Sequence, residues 1–143
     1  DVCSSDLTYR NLEHYGNPEK ILSDVEKQIR RRILLQTKTL ILTPRYLVEL
    51  SDDICAIIPL PEVLWIYDHA AMRRTIKGRQ LSYTIHVVTM KGEEYTLTGK
   101  SHREVSAIYH ELNTRYPNFF FGYSKEHQEM VQYVLHEMKN EKA

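Results

Sequence analysis

The stretch that decides the fold is residues 81–104, which read LSYTIHVVTMKGEEYTLTGKSHRE. Apolar and polar residues alternate over residues 81–90, which is typical of a β-strand with one buried face. A Lys-Gly pair then predicts a hairpin turn that leads into a second strand over residues 95–98. Ser101 and Glu104 follow with the spacing of a capping box, which marks the start of a helix. Strands that run directly into a helix predict an α+β fold.

Towards the N-terminus, the pattern predicts one helix and further strands. Asn17 and Pro18 are the residue types of a helix start. After them an apolar residue recurs at every fourth position, at Ile21, Val25, Ile29 and Ile33. We therefore expect an amphipathic helix over about residues 18–33. Between residues 34 and 99, short apolar runs separated by turns predict about six strands. Residues 69–80, rich in Arg and Lys, are interpreted as a loop.

The C-terminal part is predicted to form two helices within residues 101–138. The first carries an apolar stripe made of Val105, Ile108, Tyr109 and Leu112. Pro117 ends that helix, because a proline disfavours helical backbone in the residue before it. Ser124 caps the second helix, whose stripe comprises Met130, Val131, Val134, Leu135 and Met138. The second helix is expected to cover an apolar face of the sheet.

Composition excludes several classes of protein. The chain has 143 residues, 42% of them hydrophobic, which suits one globular domain and excludes a wholly disordered chain. Nineteen Lys and Arg balance nineteen Asp and Glu, so the whole-domain positive field of a dedicated nucleic-acid binder is missing. No apolar run approaches the roughly 20 residues that a membrane-spanning helix requires.

The first seven residues, DVCSSDL, resemble a translated sequencing adaptor and are interpreted as an artefact at the edge of a metagenomic gene fragment. The parent protein is then expected to extend further upstream. Residues 8–33 form an N-terminal linker and the amphipathic helix, and residues 34–143 form the main domain. Cys55, within an apolar run, is interpreted as a small core residue in a reducing compartment.

Three segments resemble the bacterial pleckstrin-homology-like (PH-like) domains of uncharacterised Gram-positive, membrane-associated proteins. They are residues 41–48, ILTPRYLV; residues 58–67, IPLPEVLWIY; and the closing segment from Pro117 through residues 121–124, FGYS. The resemblance implies an antiparallel β-barrel or sheet of about six strands, preceded by one helix and closed by C-terminal helices. It implies no catalysis. Membrane helices often precede the PH-like part in such proteins.

One local feature of the sequence suggests binding. Four cations, Arg73, Arg74, Lys77 and Arg79, lie within seven residues, with Met72 directly before them and Ile76 among them. This pattern is a candidate contact for an anionic membrane or a phosphate head group. The alternative is a solvated loop whose charges maintain solubility.

Other motifs do not predict a catalytic, cofactor-binding or metal-binding residue. Residues 99–101, Gly-Lys-Ser, mimic the end of a phosphate-binding loop, but Glu94 occupies the position of its first glycine. The helical histidine pairs His102/His110 and His127/His136 are eight and nine residues apart, which does not place two ligands on adjacent helical turns. We interpret these histidines as solvated surface residues, and we expect no cofactor.

Two functions follow as hypotheses. The first is a non-enzymatic PH-like binding or scaffolding module of a larger bacterial protein, in the cytoplasm or at the cytoplasmic face of the membrane. Its partner is an anionic membrane surface or a protein, not a nucleic acid. The second is a small enzyme whose site is assembled from Cys55, Asp68 and His69. That enzyme requires a deep polar cleft, and adjacent residues such as Asp68 and His69 point to opposite faces of a strand.

Overall fold

A computed structural model describes residues 6–51, 54–116 and 120–141, with backbone only for residues 6–9, 51, 54 and 55. Residues 1–7, which are interpreted from their sequence as an artefact, therefore lie outside the described residues, apart from the backbone of Asp6 and Leu7. The chain divides into two compact units, Asp1–Glu62 and Val63–Ala143.

The first unit places two helices before a four-stranded antiparallel sheet. Its elements are α1 (Asp6–Glu13), α2 (Pro18–Arg31), β1 (Leu35–Gln36), β2 (Leu40–Leu42), β3 (Tyr46–Ser51) and β4 (Ile54–Pro59), followed by a 3-10 turn (Leu60–Glu62). The strands pair in sequence order, β1-β2-β3-β4. Each is therefore joined to the next by a hairpin, which keeps the contacts of this sheet local.

The predicted helix is confirmed as α2, which ends at Arg31. The Asn17 side chain caps it by accepting hydrogen bonds from the backbone N–H groups of Glu19 and Lys20 at 3.0 and 3.3 Å. The sequence pattern does not predict α1. Its Leu12 nevertheless lies fully buried in the core of the unit, together with Val25, Ile41, Val48 and Ile57.

The second unit is a four-stranded sheet with two long helices. Its elements are β5 (Val63–Thr75), β6 (Gly78–Thr89), β7 (Glu94–Lys100), α3 (His102–Arg115), β8 (Phe120–Phe121) and α4 (Lys125–Glu141). The strand order is β7-β6-β5-β8, with β8 parallel to β5 and the other pairs antiparallel. Tyr67 lies opposite His86, and Ile85 lies opposite Leu97.

The two faces of this sheet carry different side chains because strand residues alternate. The first face presents Ile66, Asp68 and Ile85, and α3 packs over it through its contact with β6 and the Tyr109–Asp68 hydrogen bond. The second face presents Trp65, which shares a core with Val131 of α4. The closing helices therefore lie on opposite faces.

The predicted starts of both C-terminal helices are confirmed. Ser101 and Glu104 form a capping box at α3, and the Ser124 hydroxyl accepts a hydrogen bond from the backbone N–H of His127 at 3.0 Å. The helix α3 ends at Arg115, and Pro117 lies outside the described residues. Within the ranges that the structure describes, no helix is long and apolar enough to cross a membrane.

The α+β class is confirmed, but the strand count and the barrel are not. The described residues contain eight strands rather than about six, arranged as two open four-stranded sheets instead of a closed barrel. The two additional strands are β1 and β8, which have two residues each and leave no alternating pattern to detect.

The predicted loop over residues 69–80 is also wrong, because β5 and β6 continue through it as a hairpin. Thr75 pairs with Gly78 across a two-residue connection, and the Thr75 hydroxyl donates a hydrogen bond to the Gly78 carbonyl at 2.9 Å. Gly78 has φ +114°, a conformation that a residue with a side chain rarely adopts. The lack of a side chain at Gly78 therefore allows the chain to reverse direction tightly. The charged side chains of the hairpin extend into solvent.

Candidate functional site

The hairpin arm, residues 69–81, is the most distinctive surface of the second unit. Both of its strands are exposed along this whole length. Among the described residues, β8 pairs only with Trp65 and Ile66, and β7 follows β6 only as far as Tyr83. The arm therefore extends past its neighbours as a two-stranded ribbon of roughly 20 Å, at about 3.3 Å per residue.

The four predicted cations all lie on this arm and are all exposed. Arg74 and Arg79 face each other directly across the hairpin, while Arg73 lies opposite Gln80 on the other face. Lys77 lies in the turn. Within the described parts of the chain, none of the four has a carboxylate partner. Their positive charge therefore faces water rather than an internal counter-charge.

Apolar side chains share the arm with these cations. Ile76, in the turn, is fully exposed, and Met72 is 61% exposed. Leu81 is 53% exposed and lies directly opposite Met72, so the two form an apolar pair on the first face. Sequence reasoning identified Met72 and Ile76 but missed Leu81, because its role depends on the register of the hairpin.

The Gly-Lys-Ser segment lies near the base of the arm. A shallow cavity of about 250 Å³ there is lined by residues that include Arg73, Ser82 and Lys100. Lys100 is only 2% exposed, and both the hydroxyl and the backbone N–H of Ser101 are engaged with Glu104 in the capping box. The segment is therefore accounted for as a helix start.

An unpredicted pair of histidines lies at the root of the arm on the second face. His69 Nδ1 and His86 Nε2 are 3.1 Å apart, a hydrogen-bond distance. The His86 ring stacks on Tyr67 with a centroid separation of 4.6 Å and an interplanar angle of 13°. The ring of Tyr67 in turn packs against that of Trp65, with the ring centroids 4.3 Å apart. The pairing of β5 with β6 brings together histidines that are 17 residues apart in sequence.

This environment changes the acidity of two of these groups. Partial burial lowers the pKa of His86, the neighbouring His69 lowers it further, and the negative charge of Glu94 partly offsets both effects. Burial and the charge of Glu94 raise the pKa of the Tyr67 phenol. The neutral forms of both side chains are thus favoured in the folded protein.

Asp68 and His69, two residues of the hypothetical enzyme site, point to opposite faces of β5. The Tyr109 hydroxyl of α3 donates a hydrogen bond to the Asp68 carboxylate on the first face. Burial and this hydrogen bond to a carboxylate raise the pKa of Tyr109 well above its usual range. The side chain of Cys55 lies outside the described residues. Asp68 therefore has a structural role in holding α3 against the sheet.

Trp65 and Phe121 are parts of the packing, whereas three of the four helical histidines, His102, His110 and His136, are exposed as predicted. Trp65 donates a hydrogen bond from Nε1 to the Gly122 carbonyl at 2.9 Å, and Phe121 meets Tyr109 edge to face at 6.2 Å. Nowhere in the described ranges do three or more His, Cys, Asp or Glu side chains come close enough to hold a metal ion.

Residues 17–131 match the model of a family described as a domain of unknown function, DUF6709. The chain belongs to this family. The DUF6709 match takes in most of both units and includes the whole hairpin arm and both paired histidines. No curated protein and no solved structure gives a significant match.

Proposed function

We propose that this DUF6709 chain is a non-enzymatic, PH-like binding module that docks onto the anionic cytoplasmic face of a bacterial membrane through its hairpin arm. The single observation that carries the proposal is the tip of the arm. There, a fully exposed Ile76 lies between unpaired, exposed cations, among them Arg74 and Lys77. An apolar side chain surrounded by positive charge suits the boundary between phospholipid head groups and acyl chains.

The electrostatic attraction is local. Each cation near an anionic bilayer contributes about 1 kcal/mol, so four contribute about 4 kcal/mol before ordering costs. The chain is neutral overall, but attraction to a surface depends on the charge within a Debye length, about 8 Å at physiological salt. An attraction of about 4 kcal/mol corresponds to a dissociation constant of about 1 mM. Binding by the isolated chain is therefore weak and falls as salt rises.

The apolar residues add a second, salt-independent contribution. Ile76 can enter the head-group region without unfolding anything, because it is already fully exposed. The Met72–Leu81 pair lies farther from the turn on the first face. Burial of exposed apolar area contributes about 25 cal/mol per Å². An arm that tilts towards its first face would bury Ile76 first and then this pair.

The PH-like resemblance supports this proposal by analogy only. It suggests a parent protein held at a membrane, where a tethered domain meets the lipid surface at high effective concentration. Under those conditions, binding of millimolar strength is sufficient to orient a domain. We place the site on the arm because its cations and exposed apolar residues occur together.

The test is co-sedimentation with phosphatidylcholine vesicles, with and without phosphatidylserine, at low and high salt. The arm variant carries Arg73→Gln, Arg74→Gln, Lys77→Gln and Arg79→Gln. A matched control carries Lys20→Gln, Lys27→Gln, Arg31→Gln and Arg32→Gln, which removes four exposed cations from α2 and its C-terminal end. Each protein is also centrifuged without vesicles.

We expect the wild type to pellet with phosphatidylserine vesicles at low salt and to be released at high salt. The arm variant should lose at least tenfold in apparent affinity, while the α2 control should stay close to wild type. Ile76→Ser should weaken binding without changing its salt dependence. Equal loss in both four-cation variants, or no pelleting of the wild type at low salt, would show that the arm is merely solvated.

A further inference from the structure

We propose that His69 and His86 form a two-histidine binding site for a late first-row divalent metal ion, with Cu²⁺ bound most tightly. The site lies on the second face of the sheet, where the arm meets the body of the unit. It is independent of the membrane proposal, because neither histidine belongs to the cationic tip.

The distance between the two nitrogens suits neighbouring positions around one metal ion. Imidazole nitrogens bind such ions at about 2.0–2.1 Å, so two ligands at a right angle are about 2.9 Å apart and tetrahedral ligands about 3.4 Å apart. The separation of His69 Nδ1 and His86 Nε2 is 3.1 Å, between these limits. The ring centroids are 5.1 Å apart with an interplanar angle of 26°, so the rings rotate from this arrangement when both lone pairs point at one ion.

The proton balance also permits binding. In the hydrogen-bonded pair, one of the two facing nitrogens carries the shared proton. When a metal ion binds, that ring changes tautomer and carries its proton on the nitrogen that faces away. Metal binding to two neutral rings therefore releases no net proton. Neutral imidazole is the form that binds metal ions.

Packing restricts the ring of His86, whereas His69 lies at the solvent-exposed side of the site. His86 is partly buried and stacks on Tyr67 at 4.6 Å, which restricts its ring. His69 is exposed, so water can complete the coordination sphere. The Glu94 carboxylate is close enough to act electrostatically on His86 and favours positive charge there. Imidazole nitrogens with water ligands suit Cu²⁺, Ni²⁺ and Zn²⁺, among which Cu²⁺ generally has the highest affinity.

The sole tryptophan provides a local readout. Trp65 contacts Tyr67 at 4.3 Å, and Tyr67 stacks on His86, so a paramagnetic ion at the site lies one ring away from the fluorophore. The probe is CuCl₂ alone, titrated into the full chain in a weakly coordinating buffer while tryptophan emission is recorded. NiCl₂, which does not oxidise thiols, is titrated in parallel.

We expect saturable quenching by one equivalent of Cu²⁺. His69→Gln and His86→Gln should each weaken it at least tenfold, while the double variant His110→Gln/His136→Gln, on exposed positions of α3 and α4, should match the wild type. Electron paramagnetic resonance of the Cu²⁺ complex should show two imidazole nitrogens in the wild type and one in each single variant. Circular dichroism of the metal-free variants checks that they fold.

With Cu²⁺, two results would overturn the proposal. One is quenching with the same midpoint in the wild type and in both single variants, which would place the ion elsewhere, for example at the amino terminus. The other is a wild-type spectrum with one coordinated imidazole. Ni²⁺ should reproduce the dependence on both histidines at lower affinity, and Ni²⁺ binding that ignores both would equally contradict the site.

Discussion

Tyr109 is a residue whose acidity is set by its packing. Its half-buried phenol donates a hydrogen bond to Asp68, and burial, that hydrogen bond and the carboxylate charge raise its pKa. A tyrosine in the unfolded chain ionises near pH 10. The stability that this group contributes is therefore fully present below about pH 10 and is lost as the pH rises through the higher folded-state pKa.

We expect Tyr109 to ionise only when the protein unfolds at alkaline pH. In a titration followed by tyrosinate absorbance, Tyr109→Phe should remove one late-ionising group from the ten tyrosines. At neutral pH the same change should lower the free energy of unfolding by about 1–2 kcal/mol, because a partly exposed hydrogen bond to a carboxylate is lost. Tyr133→Phe, at an exposed position, is the control. Identical alkaline curves for the two variants would contradict the assignment.

At the scale of the elements, the start of α3 offers a clear test of a sequence signature. The Ser101 hydroxyl accepts a hydrogen bond from the Glu104 backbone N–H at 3.2 Å, and the Glu104 carboxylate accepts one from the Ser101 backbone N–H at 2.9 Å. Ser101→Ala should lower the free energy of unfolding by about 0.5–2 kcal/mol, and Ser101→Gly by only a few tenths. Urea denaturation of both variants measures this difference. Equal losses would mean that the hydroxyl does not act as a cap.

The elements also show what the sequence could predict and what it could not. The capping box, the Asn17 cap and the hairpin after β6 depend on residues close in sequence, and all were predictable. The arm was not, because its charged residues favour a loop by local preference, whereas pairing along the whole of β5 and β6 makes them strands. The His69–His86 pair could not be predicted either, because the two histidines come together only through the register of β5 against β6. The four cations were found because they are nearly contiguous.

At the scale of the whole molecule, burial separates residues that look alike in sequence. Leu12 of α1 is fully buried in the first unit, whereas Leu81 on the arm is more than half exposed. Leu12→Ala should cost about 2–5 kcal/mol in unfolding free energy, as expected for a leucine removed from a core. Leu81→Ala should change stability by less than about 0.5 kcal/mol. Chemical denaturation compares the two, and a small effect at Leu12 would mean that α1 is not part of the folded core.

The exposed ribbon has one more physical consequence. Along the outer edges of the arm, within the described residues, no further strand pairs with residues 68–75 of β5 or with residues 78–82 of β6. Backbone edges of that length are templates on which a strand from another chain can add. The cations that are proposed to attract lipid also repel a second, equally charged copy from these edges. In water the cations therefore keep neighbouring arms apart and the protein soluble. Neutralising them or raising the salt concentration favours edge-to-edge assembly of the arms.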